Sequence, residues 1–305
     1  MMKGLGLSKK YYEEYGRRMI METVPDLADR AAAGLAGDGS QCYGFDDEIS
    51  RDHDFAPGFC IWLTDDDFRQ YGQVLQKAYD RLPSEFMGLS RRPSDASGRL
   101  GVRRISSFYS EYTGCPAGPV SNEQWLMCPE TALAACTNGE VFYDPSGEFS
   151  RIRSRITEFY PEDVLRKKIA ARAAVMAQAG QYNLPRCLKR GDQVAASLAC
   201  ARFTEAALSM IHLLNRRYMP FYKWAFRSAQ SLTKLRHLPA HIEELCRTLN
   251  PDTAEKICAE IASELRLQGF SASQSAFLQD HLPDIMSGIE DPVIAALTPM
   301  ADFNF

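Results

Sequence analysis

The sequence predicts an α+β fold joined to an all-helical one: a mixed sheet with helices over residues 1–155, then a helical bundle over 156–305. Three observations carry this. The small apolar run Ala31–Ala36 enters a glycine-rich turn, Gly37-Asp38-Gly39-Ser40, as a buried strand does. Short strand-like segments recur through the first half. From about Tyr160 to about Gly288 nearly everything is helical by pattern and propensity.

In order, Ser8 opens a helical stretch in which Tyr11, Tyr12, Tyr15 and Met19 recur near helical spacing, and a turn surrounds Pro25–Arg30. Arg51–Phe55 and Phe59–Leu63 read as short strands around Pro57-Gly58. Asp65-Asp66-Asp67 starts a helix whose Phe68, Tyr71, Val74, Leu75, Ala78 and Tyr79 recur at i, i+3 and i+4. Val102–Tyr109 alternates as a strand, and Val141-Phe142-Tyr143 is a strand ending in the turn Asp144–Gly147. Pro161-Glu162-Asp163 starts the helical half, and Gln193–Leu214 is apolar enough on two sides to be buried. Breaks are predicted at Gly180–Pro185, Met219-Pro220, His237–Pro239 and Asn250-Pro251.

At 305 residues, 45% hydrophobic and 24% charged, the chain has the composition of a globular protein with a sizeable core. The net charge of −4 argues against non-specific duplex DNA binding. The basic runs Arg151, Arg153, Arg155 and Arg166, Lys167, Lys168 read as solvated faces, with a polyanionic substrate as the alternative. Nine cysteines without a C-x-x-C pair favour neither a zinc site nor a disulfide framework, and fit a reducing compartment. The N-terminal segment is charged from Lys3 and lacks the apolar stretch of a signal peptide; no uninterrupted apolar window approaches the roughly 18 residues of a membrane span. The expectation is a cytoplasmic protein with no membrane partner.

The chemically informative segment runs from Gly37 to Asp54. A Gly39-Ser40 turn after a buried strand leaves backbone amides and a hydroxyl free for phosphate oxygens. Further on, Asp52 and Asp54 flank His53; on a strand, residues i and i+2 share a face, so the two carboxylates converge. Converging carboxylates need a cation, and Mg²⁺, which takes one or two carboxylates and fills its shell with water and phosphate oxygens, fits.

This pattern, Gly-Ser, a spacer of about ten residues and Asp-x-Asp, resembles that of the polymerase-β-type nucleotidyltransferase superfamily. The helical second half is similar to the substrate domain of the aminoglycoside and lincosamide branch. Gly44–Phe55, Gly139–Gly147, Gly180–Asn183 and Leu214–Trp224 look like segments of a bacterial nucleotidyltransferase-like family of unknown function. The resemblance implies that Asp52 and Asp54 bind Mg²⁺ and that Gly39 and Ser40 hold a nucleoside triphosphate. It also implies transfer of a nucleoside monophosphate, AMP from ATP, to a hydroxyl of a small molecule or protein acceptor, with pyrophosphate leaving. Substrate is expected in a cleft between the two domains.

The sequence departs from the family pattern in two ways. His53 stands where an apolar residue is usual, and Val102–Ser106 carries Arg103 and Arg104 where a third carboxylate is common. Glu111 or Asp144 could supply that acid. In the second half, Asp192 is the candidate general base, with Glu205 as the other choice, and Arg190 and Lys223 are candidate nucleotide contacts. Each has a structural alternative, as an ion-pair partner or a helix-end anchor. Two rival functions stand beside the enzyme: a catalytically inactive nucleotide- or protein-binding member of the fold, and a helical ribonuclease reading of Arg236 to His241 that Pro239 interrupts.

Overall fold

The computed structural model describes residues 2–49, 56–91 and 99–302. The predicted strand Arg51–Phe55, with Asp52, His53 and Asp54, lies outside them. The helices run Gly4–Tyr11 (α1), Arg17–Thr23 (α2), Asp65–Asp80 (α3), Ile105–Thr113 (α4), Asn122–Met127 (α5), Glu130–Thr137 (α6), Glu148–Thr157 (α7) and Glu162–Met176 (α8). They continue with Leu184–Lys189 (α9), Gln193–Leu214 (α10), Tyr222–Ala229 (α11), Leu238–Thr248 (α12), Pro251–Leu267 (α13), Leu282–Ser287 (α14) and Pro292–Ala295 (α15). The strands are Ala32–Leu35 (β1), Cys60–Leu63 (β2), Glu85–Phe86 (β3), Leu89–Ser90 (β4), Gly101–Arg104 (β5) and Glu140–Tyr143 (β6). They form two compact units: residues 1–119 with 132–158, and residues 120–131 with 159–305.

The first unit is built on a mixed four-stranded sheet in the order β5-β2-β1-β6. β1 runs antiparallel to β2 and β6, and β2 runs parallel to β5. β1 and β2 are buried on both faces, so they read as continuous apolar runs rather than alternating ones. Ile61 and Leu63 pack into a cluster with Tyr11, Tyr12, Phe59 and Tyr79. On the opposite face Trp62 stacks on Phe149 with ring centroids 3.9 Å apart, as the period of two requires. Small residues in β1 have a steric cause: a Cβ on Gly34 would lie 2.5 Å from the carbonyl oxygen of Glu140 and 2.9 Å from Trp62.

The predicted strand Val102–Tyr109 stops at Arg104. Ile105, Phe108, Tyr109 and Tyr112 follow at helical spacing and are buried on one face of α4, so the 3.6-residue period overrides a short alternation. The helix predicted at Asp65 forms, with Thr64 Oγ1 accepting from the Asp67 amide at 3.2 Å.

The second unit contains only helices among its described regular elements. α10 packs on α8 and α9, and residues 206–214 are buried throughout. By length and composition α10 is apolar enough to cross a membrane. The break predicted at Gly180–Pro185 does not occur. α8 widens instead into a π-helical stretch, Ala177–Asn183, and continues into α9, with Pro185 in the first turn where its missing N–H costs nothing. Gly180 is required by packing, since a Cβ there would lie 2.2 Å from the Phe203 ring of α10. The other predicted breaks fall at element ends, and Asn250 caps α13 ahead of Pro251.

The basic runs are not simply solvated. Arg151 pairs with Glu148 at the surface, but Arg153 turns inward onto backbone carbonyls and Arg155 reaches the carbonyl of Ala117. Lys167 and Lys168 are fully buried. Their partners are carbonyls of Pro299 and Ala301 and the carboxylate of Asp302, which cover that face of α8.

Candidate functional site

The Gly-Ser turn follows β1 in the first unit. Gly37 has φ 129°, open only to glycine, and a Cβ there would also meet the Tyr112 hydroxyl at 2.8 Å. Asn138 grips this residue from both sides. The Gly37 amide donates to Asn138 Oδ1 at 2.9 Å, and Asn138 Nδ2 donates to the Gly37 carbonyl at 2.7 Å. Arg153 supports the grip by donating to the carbonyls of Thr137 and Asn138 at 2.6 and 2.7 Å. Gly139 donates to the Cys42 carbonyl at 2.8 Å, tying the end of the turn to the same segment.

The turn is thus anchored from behind, and Gly39 within it is buried. A short 3₁₀ turn, Ser40–Tyr43, begins at Gly39. Ser40 is partly exposed, and its hydroxyl makes no hydrogen bond among the described residues. Gln41 is buried, and its side-chain oxygen has no partner there either. Asp38 is exposed and accepts from the Tyr112 hydroxyl at 3.4 Å. Burial, reinforced by Asp38, raises the Tyr112 phenol well above its ordinary value, so it stays a donor. A Cβ on Gly39 would meet only ordinary contacts, the nearest 3.4 Å away, at a φ of −66°. The fold therefore demands glycine at position 37 but not at 39. The sequence singles out Gly39 and Ser40 on this turn but not Gln41, Asn138, Tyr112 or Arg153, which pack around it; Asn138-Gly139 just before β6 is the available signal.

The acids considered for a third carboxylate are engaged. Glu111 pairs with Arg103. Asp144 accepts from the amides of Gly147 and Ser150 at 3.0 and 2.7 Å, holding the start of α7. Asp46 accepts from the Gly4 amide at 2.9 Å, at the start of α1, while Asp47 and Glu48 are exposed. No group of three His, Cys, Asp or Glu side chains forms a metal site among the described residues. Asp52 and Asp54, the predicted Mg²⁺ ligands, lie outside them.

The helical candidates fall at different ends of α10. Asp192 is its N-cap, with Oδ1 accepting from the Ala195 amide at 3.0 Å. Arg190 ends α9 just before it, and its backbone amide bonds to Arg186 and Cys187. Roughly 30 Å along the helix, His212 Nε2 meets Ser228 of α11 at 2.9 Å, and α11 carries Lys223, which lies over the Trp224 ring at 5.1 Å. Glu205 is exposed on α10. Gln181 serves the fold by bonding Glu255, Ala276 and Leu278. His237 sits at the N-cap of α12, 3.6 Å from Glu260, with His241 one turn on.

A mixed sheet unit carrying an anchored Gly-Ser turn, and a unit of helices, define the chain by fold. Residues 125–225 match a family described as a domain of unknown function (DUF4037). The matched span includes Asn138 and Arg153 as well as α8 and α10, and excludes the Gly-Ser turn. No curated protein matches the chain.

Proposed function

We propose that the first unit binds a nucleoside triphosphate at Gly39-Ser40 and, with Mg²⁺ held by Asp52 and Asp54, transfers its nucleoside monophosphate to an acceptor hydroxyl. ATP is the proposed donor, and a small molecule or protein the acceptor. The observation that carries this reading is the asymmetry of the turn. Its rear is fixed by Asn138 at Gly37, while the Ser40 hydroxyl and the Gln41 side-chain oxygen have no protein partner among the described residues. A fixed loop with unspent polar groups suits close approach of phosphate.

Oxygen donors are what a hard cation takes, and Ser40, Gln41 and Asp38 put three of them on this turn. Mg²⁺ would supply charge neutralisation as the α-phosphorus is attacked. Asp192 is the proposed base for the acceptor hydroxyl, and Arg190 and Lys223 are proposed nucleotide contacts. The nucleotidyltransferase layout, with a C-terminal substrate-binding bundle, belongs to the same proposal, as does a cytoplasmic setting.

A second reading has its own support: Glu111 and Asp144 are committed to Arg103 and to α7, which favours a binding protein that does not turn over. Incubation with ATP labelled at the α-phosphate separates the two. Label transferred to an acceptor in a cell extract, with pyrophosphate released and both lost in Asp54→Asn, is the expected result. Retained nucleotide binding without pyrophosphate release establishes the second reading instead.

A further inference from the structure

Helix α8 turns three cations onto one buried patch. Lys167 Nζ donates to the carbonyl of Pro299 at 2.8 Å and to that of Ala301. Lys168 Nζ lies 3.2 Å from Asp302 Oδ1 and 5.2 Å from the centre of the Tyr160 ring. Arg172 pairs with Asp302 Oδ2 and reaches Glu130 Oε2 at 3.4 Å. The side chains of Lys168 and Asp302 are completely buried.

The two carboxylates differ in how they are held. Glu130 is fixed by the fold, accepting from Ser209 Oγ at 2.7 Å and from the Met219 amide at 3.0 Å. Arg172 Nε completes that set by donating to Ser209 Oγ at 2.8 Å. Asp302 arrives on the segment 295–302, in which no apolar side chain is buried; the last buried one before it is Ile294. This segment is seated on α8 by polar bonds that another anion could replace.

Lys167, Lys168 and Arg172 face the carboxylates of Asp302 and Glu130, and Glu205 also acts on Arg172. Burial and the neighbouring Arg172 push Lys168 down to about 7 and Lys167 to about 8. Without Asp302 the three basic side chains would lose the carboxylate that Lys168 and Arg172 share. A phosphate group, with roughly −1.5 to −2 charge near neutral pH and three acceptor oxygens, offers them more charge and more acceptors than the carboxylate it would replace.

We propose that Lys167, Lys168 and Arg172 form a binding site for a phosphate-bearing ligand, which segment 295–302 keeps filled with Asp302 until the ligand displaces it. The proposal does not rest on nucleotidyl transfer.

Amide hydrogen exchange of the unaltered protein across a series of inorganic phosphate concentrations tests it, with acetate at matched ionic strength alongside. Phosphate should speed exchange at residues 298–302 several-fold while α8 stays protected, and acetate should not. Calorimetry should show Asp302→Ala binding inorganic phosphate at least ten-fold more tightly than the unaltered chain, with the gain lost when Lys168→Gln is added. Exchange that phosphate leaves unchanged overturns the proposal, and so does an equal response to acetate. If Asp302→Ala does not fold by circular dichroism, the exchange result on the unaltered protein decides.

Discussion

The side-chain amide of Asn138 pairs with both backbone groups of Gly37, accepting from its N–H at 2.9 Å and donating to its C=O at 2.7 Å across 101 residues of sequence. Gly37 is buried, so neither group has ready access to water. Asn138→Ala would strand both, and an orphaned buried polar group costs about 1–3 kcal/mol. We expect destabilisation of about 2–4 kcal/mol in urea unfolding, together with weaker nucleotide binding. Unchanged stability would show that the turn is held by something else.

Gly39 separates ligand approach from folding. Its backbone is in an ordinary region, and a Cβ would meet nothing closer than 3.4 Å. Gly39→Ala should melt within a few degrees of the unaltered protein and bind a triphosphate analogue at least ten-fold more weakly. Gly37→Ala should fail at the level of folding, because φ 129° is closed to alanine. Full binding by folded Gly39→Ala would remove this residue from the site.

Gly180 is a packing residue. A methyl there would press on the Phe203 ring at 2.2 Å, and overpacking of this kind costs about 1–3 kcal/mol. Gly180→Ala should lower the urea midpoint, and Phe203→Leu in the same chain should recover part of the loss. A double variant no more stable than expected from adding the two single effects would contradict the contact.

These residues also mark where the sequence is legible. β1 announces itself through its run of small residues before a glycine turn, and α13 through Asn250-Pro251, because both signals are local. α4 does not: the alternation read over Val102–Tyr109 masks the helical spacing of Ile105, Phe108 and Tyr112. Lys167 and Lys168 read as surface charge because their partners lie more than 130 residues away. Asn138-Gly139 marks a turn in the sequence, but the partner of Asn138 depends on where β6 lies beside β1. Asp52 and Asp54 remain a reading of the sequence.

Stability should fall in mild acid through His212. It is fully buried, Nδ1 meets the Leu208 carbonyl at 2.7 Å, and burial holds the imidazole below its ordinary value of 6.5. As pH drops through 6.5 the unfolded chain takes up a proton that the folded chain resists, so the unfolded state gains. Above that range the penalty is absent. The melting temperature should decline between pH 7 and 5, and less steeply in His212→Gln. Parallel slopes would exclude His212 as the cause.

The proposed triphosphate site joins the Gly-Ser turn to Asp52 and Asp54 through Mg²⁺. The most direct measurement is calorimetric titration of the full chain with a non-hydrolysable ATP analogue, with and without Mg²⁺, beside Asp52→Asn. One equivalent bound only with Mg²⁺, and lost in Asp52→Asn while the fold is kept, is the predicted result. No binding under either condition, or binding untouched by Asp52→Asn, would contradict it.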